Sequence, residues 1–254
     1  MKVMPVVGIL FIIGLALLAG AVTFTVERLV PAKRREPHND VLGFVYAVIG
    51  VTYAVLLGLV VIATWNTLEE ARTNTYTEAN ALIWLDWYGY SLPQPAHAEV
   101  EDLCTQYAYT VITAEWPEMT RLHTSSQAWP VYQELHKVIQ AQEPTTPAAV
   151  ARYQVAVNAA DELGAARRQR ITQAGEGIPP LLWAALIMGG AITVGFGFLF
   201  GMKSTKTHAL VMFSLTMLIG GLLLVVYELN FPFSGIRVGP EAFQLALERI
   251  QELS

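Results

Sequence analysis

The sequence predicts an all-α integral membrane protein with four transmembrane helices and a helical extramembrane domain inserted between helices two and three. Three observations carry this. Only 15% of the 254 residues are charged and 54% are hydrophobic, where soluble domains carry about 25% charge. Four windows, about 3–26, 41–66, 179–202 and 209–227, are free of charge. Each approaches the ~20 residues that a helix rising 1.5 Å per residue needs to cross a ~30 Å hydrocarbon layer. Between the windows apolar residues recur every three or four positions, and no strand-like alternation persists.

The first window follows Lys2 and contains Ala19-Gly20-Ala21, which has the small-x-small look of a signal cleavage site. Its apolar run is longer than a signal core and continues to Val26, so a retained span is expected. The first span and the second form residues 1–63.

The second window lies in HNDVLGFVYAVIGVTYAVLLGLVVIATWNTLEE, residues 38–70. On a helix at about 100° per residue, Gly43, Ala47, Gly50, Ala54 and Gly58 fall within an arc of about 80°. Small residues let helix backbones approach closely inside lipid, so this face is either a helix–helix seam or the border of an axial conduit. His38, Asn39 and Asp40 precede it; Asn and Asp side chains accept the orphan N–H groups of a helix start, and a pore-mouth contact is the alternative role. Glu69 and Glu70 follow just beyond the span. Trp65 suits either packing or the membrane–water interface.

Residues 64–178 form the predicted extramembrane domain, with 14 acidic and 7 basic residues. Its first helix continues the second span until SLPQPAH, where proline ends it. A second is predicted over 96–115, stopping near Trp116-Pro117; a third starts at Pro130; the longest runs from Ala148 to Gln173 and is closed by Gly175 and Gly177. The tryptophans at 84, 87, 116 and 129 are read as packing residues. Arg167, Arg168 and Arg170 suit a buried ion-pair network with domain carboxylates, or else an anion or headgroup contact. Pro179-Pro180 open the third span, and residues 179–229 hold spans three and four. Residues 230–254 begin with NFPFSG. There Pro232 stops the helix, Gly235 permits a turn, and Phe231 and Phe233 wedge under neighbouring helices, with Asn230 part of the same structural motif. A short amphipathic helix follows Pro240.

Several functions find no support. No Asp, Glu, Lys or Arg lies deep in a span, where proton-coupled transporters keep a relay; an apolar-walled pore that gates by wetting is compatible. The histidines at 38, 97, 123, 136 and 208 show no metal-like spacing, and neither G-x-S-x-G nor a phosphate-cradling loop occurs. No catalytic residue, metal or cofactor is expected, nor a nucleic-acid partner. The single cysteine, Cys104, forms no intramolecular disulfide. Basic residues near span ends divide six against six between the two sides. Short loops weigh more, which places the helical domain outside.

HNDVLGFVYAVIGVTYAVLLGLVV, the EAR at 70–72, AEWPEM at 114–119, AARRQR at 165–170, IPPLLWAAL at 178–186 and NFPFSG at 230–235 resemble the bestrophin-like domain family of bacterial membrane proteins, over about 38–245. That family is distantly similar to bestrophins, which are homo-oligomeric, typically pentameric anion channels. Bestrophins have four spans, a helical domain between spans two and three, and a pore lined by span two. The resemblance implies a multi-pass protein of the plasma or inner membrane, a homo-oligomer in the lipid bilayer that passes inorganic ions, with residues 43–58 approaching the axis. It also implies a cytosolic domain, against the loop charges, so sidedness stays open. Bestrophin necks carry aromatic and branched residues where this face has glycine and alanine, and a ring of Glu69 and Glu70 would concentrate cations; ion sign stays open too. The alternative function is a non-conducting membrane sensor or scaffold whose helical domain binds a partner or ligand.

Overall fold

The computed structural model describes residues 3–234 and 238–253. Among them every regular element is helical: α1 Val3–Leu29, α2 Asn39–Gly89, α3 Ala96–Thr110, α4 Trp129–Gln140, α5 Pro147–Gly175, α6 Pro180–Gly197, α7 Thr205–Leu229 and α8 Glu241–Leu253. Four of these helices, α1, α2, α6 and α7, are long and apolar enough to cross a membrane. The chain divides into two compact units, Met1–Trp65 with Ile178–Asn230, and Asn66–Gly177 with Phe231–Ser254.

In the first unit α1 and α7 run antiparallel in close contact. A Cβ at Gly220 would stand 2.8 Å from Ile12, and one at Gly8 would stand 2.6 Å from Leu224. Leu57 and Val60 of α2 pack with Leu186 of α6 and Ile219 and Val226 of α7. Tyr53 joins them because Gly189 and Gly190 admit its ring; a Cβ on Gly189 would lie 2.6 Å from it. Threonine hydroxyls inside the spans return to their own helices, Thr23 to the Ala19 carbonyl at 3.0 Å and Thr193 to that of Gly189 at 2.8 Å. Such back-bonding satisfies polar groups where no water is at hand.

The third span is shorter than its apolar window. It stops at Gly197 because the following carbonyls have other partners. Arg35, at the end of the one-turn helix Ala32–Arg35 between α1 and α2, donates Nη1 to the carbonyls of Phe198 and Phe200 at 2.7 and 2.8 Å and pairs with Glu27. His208 Nε2 donates to the Gly197 carbonyl at 3.0 Å. Basic side chains suit helix C-terminal carbonyls on both hydrogen-bonding and dipole grounds. The fourth span begins ahead of its window, at Thr205, capped by the Ser204 hydroxyl, which accepts from the Thr207 N–H.

The second unit shows why its helices begin and end where they do. α2 ends at Gly89, ahead of Pro93. α5 starts at Pro147, with the Thr146 hydroxyl accepting from the Ala149 N–H at 3.2 Å. The predicted helix over 96–115 does not stop at Trp116-Pro117. Past Thr110 the chain makes a π turn, Val111–Glu115, and then a short helix, Trp116–Met119. Pro117 has no N–H to give, and a π turn absorbs the mismatch that a proline imposes on the α ladder. Trp116 is buried, but Trp84 and Trp87 are about half exposed and meet edge-on at 5.0 Å. They lie off the Leu82–Leu85 stripe, so their expected packing role is not met within this unit. Residues 231–254 belong to this unit, with Phe243, Ala246 and Ile250 of α8 buried.

Candidate functional site

The glycines of the membrane unit divide into two sets. Those of α6 and α7 that face other helices have neighbours within van der Waals contact or closer, as at Gly189, Gly190, Gly197 and Gly220. At Gly43, Gly50 and Gly58 of α2, an added Cβ would meet nothing within 4 Å, as also at the single positions Gly14, Gly195 and Gly221 of the other spans. Ala47 and Ala54 between them are exposed. The buried face of the same helix carries Tyr53, Leu57, Val60 and Thr64. The small-residue face is therefore open along the span, and none of the described residues covers it.

Beyond the span the helix turns polar. Glu69 and Glu70 are exposed and make no ion pair among the described residues. They line an open groove of about 500 Å³ with Asn66, Thr73, Thr77 and Gln169. Glu69 and Glu70 bring the only formal charges to this groove, and both are negative.

The residues before the span do something the sequence did not suggest. Asn39 is already inside α2. Its side-chain amide donates to the Gly201 carbonyl at 2.9 Å and its oxygen accepts from the Gly201 N–H at 3.0 Å. Both atoms are thus engaged by the α6–α7 turn and not by the N–H groups of α2, which corrects the capping role expected of Asn39. Glycine is required at 201, because a Cβ there would lie 2.5 Å from the Glu36 nitrogen. His38 ends a 3-10 turn and Asp40 sits in the first turn of α2, where its charge suits the helix dipole.

The core of the second unit is a charge-balanced cluster. Arg170 donates from Nε to Glu78 Oε2 at 2.7 Å, and from Nη2 to Glu78 Oε1 at 2.9 Å and to Glu115 Oε2 at 2.8 Å. Arg167 donates to Glu115 Oε1, which also accepts from the Ala128 N–H at 3.1 Å. The Tyr107 hydroxyl donates to Glu78 at 2.6 Å. Burial works against the charge of Arg170, but Glu78 above all, with Tyr107 and Glu115, outweighs it and pushes the guanidinium pKa up. Burial, and then Glu78, hold the Tyr107 hydroxyl protonated well beyond its usual range. Arg168 stays exposed. Glu78 was not singled out from the sequence, yet a signal existed: it occupies the same stripe as Leu68, Ala71, Thr75 and Leu82, all buried, so a charge stands at a core position.

Of the NFPFSG motif, Asn230 Oδ1 accepts from the Ile178 N–H at 2.6 Å. Pro232 is buried and its carbonyl accepts from the Val238 N–H at 2.8 Å. Phe233 is buried edge-on against Trp116 at 5.5 Å, while Phe231 is half-buried. Gly235 lies outside the described residues.

A family model for the bestrophin-like domain matches residues 13–243. The chain belongs to the bestrophin-like family. Solved structures agree at the level of fold. A bacterial bestrophin homologue from Klebsiella pneumoniae, crystallised in a mutant form, superposes with a TM-score of 0.73 at 15% identity, over 96% of this chain and 98% of that one. The same homologue phased on zinc gives 0.71 at 14% identity, again over 96% and 98%. No curated protein matches the sequence. This bestrophin-like protein is accordingly an all-helical membrane protein, with its polar helical unit inserted between the second and third spans.

Proposed function

We propose that this bestrophin-like protein is a homo-oligomeric ion channel, a pentamer by analogy, whose pore is framed by the membrane segment of α2. One observation carries the proposal: the face of Gly43, Ala47, Gly50, Ala54 and Gly58 is open in the subunit, while the glycines between its own helices are filled. Lipid chains give such a face little that they do not give leucine, but a neighbouring helix gains close packing from it. The subunit is thus shaped to gather copies of itself around an axis bordered by α2.

On this reading the helical unit lies outside the bilayer of the plasma or inner membrane, and Glu69 and Glu70 form a ring beyond the span. Carboxylates repeated around an axis raise the local concentration of cations and lower that of anions, which favours a cation path. The walls of the span are apolar and uncharged, suited to gating by wetting. The test is ion flux from purified protein in liposomes, with particle images to establish subunit number and the axial helix. Selective flux from a ring with α2 innermost is expected. An intact oligomer that passes no ion overturns the proposal and leaves the non-conducting sensor or scaffold.

A further inference from the structure

Asp86 takes no part in the Arg170 cluster. It lies one turn before the end of α2, 1% exposed, and neither carboxylate oxygen has a hydrogen-bond partner among the described residues. It faces the start of α3, where His97 and Glu101 stand one helical turn apart, Nε2 to Oε2 at 3.7 Å. That His97 nitrogen is also buried without a hydrogen-bond partner. Beside them the buried Cys104 thiol donates to the Leu82 carbonyl at 3.8 Å. The two helices come close here, since a Cβ on Gly89 would lie 3.1 Å from Val100. The charged groups facing Asp86 from α3 are Glu101 and His97. From α5, Arg152 and Tyr153 face Tyr88 instead.

A buried carboxylate is stable when neutral, and when ionised only if donors surround it. Among the described residues no donor lies within hydrogen-bond distance of either oxygen, and the Cys104 thiol is turned to the Leu82 carbonyl. Burial, with Glu101 adding and His97 opposing, pushes Asp86 up from its ordinary 3.8 to about 6. The Cys104 thiol is pushed up by burial, then by Asp86 and Glu101.

We propose that Asp86, His97 and Glu101 form a proton-binding latch, which fastens the α2–α3 hairpin while Asp86 is protonated and loosens it when Asp86 ionises. The neutral acid carries no charge and can stay buried without a donor. The carboxylate cannot, and it must draw in water or swing outward. Because the folded value is raised, the stabilising contribution is complete below the ordinary value and is lost as pH rises through about 6.

Cys104 is the only cysteine and reports the opening directly. The full-length protein in lipid nanodiscs is labelled with a maleimide between pH 5 and 7.5. Each rate is divided by that of the urea-unfolded protein at the same pH, which removes the thiol's own ionisation. The normalised rate is expected to rise about tenfold through pH 6, and Asp86→Asn should hold it at the low-pH value throughout. Glu101→Gln should move the midpoint to lower pH and His97→Gln to higher pH, a pair of opposite shifts that decides the matter even if the asparagine variant does not fold. A flat wild-type profile, the same profile in Asp86→Asn, or a midpoint unmoved by both neighbours overturns the latch. No flux is measured, so the result stands whether or not the protein conducts.

Discussion

Replacing Arg170 with methionine tests the core of the helical unit most severely. The side chain is fully buried. It donates three bonds to Glu78 and Glu115, touches the Met119 sulfur at 3.3 Å, and has the Trp116 and Phe243 rings 5.7 and 5.6 Å from its guanidinium carbon. With it gone, Glu78 keeps only the Tyr107 hydroxyl, and two buried carboxylates share the single charge of Arg167. Breaking one side of a buried ion pair costs about 3–5 kcal/mol, which in a domain of this size lowers Tm by on the order of 10–20 °C. Thermal unfolding in detergent, followed by circular dichroism and tryptophan fluorescence, reads that change. The double variant Arg170→Met, Glu78→Gln leaves Glu115 balanced by Arg167, and it should be clearly more stable than the sum of the single losses, a coupling of about 1–3 kcal/mol. A single loss below about 1 kcal/mol, the range of exposed pairs, or strict additivity in the double variant, refutes the reasoning.

Four further outcomes are expected. Gly189→Val drives a branched side chain into the Tyr53 ring, where a Cβ alone would lie 2.6 Å away; such overpacking costs about 1–3 kcal/mol and should lower the yield of folded subunit. At Gly50 an added Cβ meets nothing within 4 Å, so the Gly50→Leu subunit should fold while oligomer size or conductance changes; no change in either would mean that the face meets only lipid. Asn39→Leu removes both bonds to Gly201, worth about 1–3 kcal/mol, and limited proteolysis should cut the 198–204 turn faster; an unchanged cleavage rate would show that the clasp is dispensable. Glu69→Gln with Glu70→Gln should lower the cation-over-anion permeability ratio, read as a shift in reversal potential; an unmoved potential puts those carboxylates off the ion path.

The spans and the all-helical class were legible because hydrocarbon thickness dictates a length and excludes charge, and both are countable along a chain. Helix ends followed where proline, threonine or serine caps lay in the sequence, as at Thr146 and Pro93. They were misjudged at Gly197, where Arg35, remote in sequence, takes the Phe198 and Phe200 carbonyls and His208 that of Gly197, and at Thr205, where the Ser204 cap lies ahead of the apolar window. The fate of the arginine cluster was readable in kind, because Arg167 and Arg170 fall on the apolar stripe of α5. Their partner Glu78 was missed, since only tertiary packing decides which of several carboxylates they meet. Asn39 misled for the same reason: a residue type that favours helix starts was claimed by a backbone 162 positions away. The open face of α2 was legible as a pattern of small residues, but periodicity alone does not say what covers it.

The antiparallel embrace of α1 and α7 bears on how the protein is made. Leu29 leaves the ribosome well before Thr205 is synthesised; at about 5–20 residues per second the delay is roughly 10–35 s. Throughout that time the earliest helix waits in the bilayer without its mate, its notch for Leu224 at Gly8 unfilled. Damage to that pairing should therefore appear as chains cleared by quality control during biogenesis, well before any defect is seen in the mature molecule.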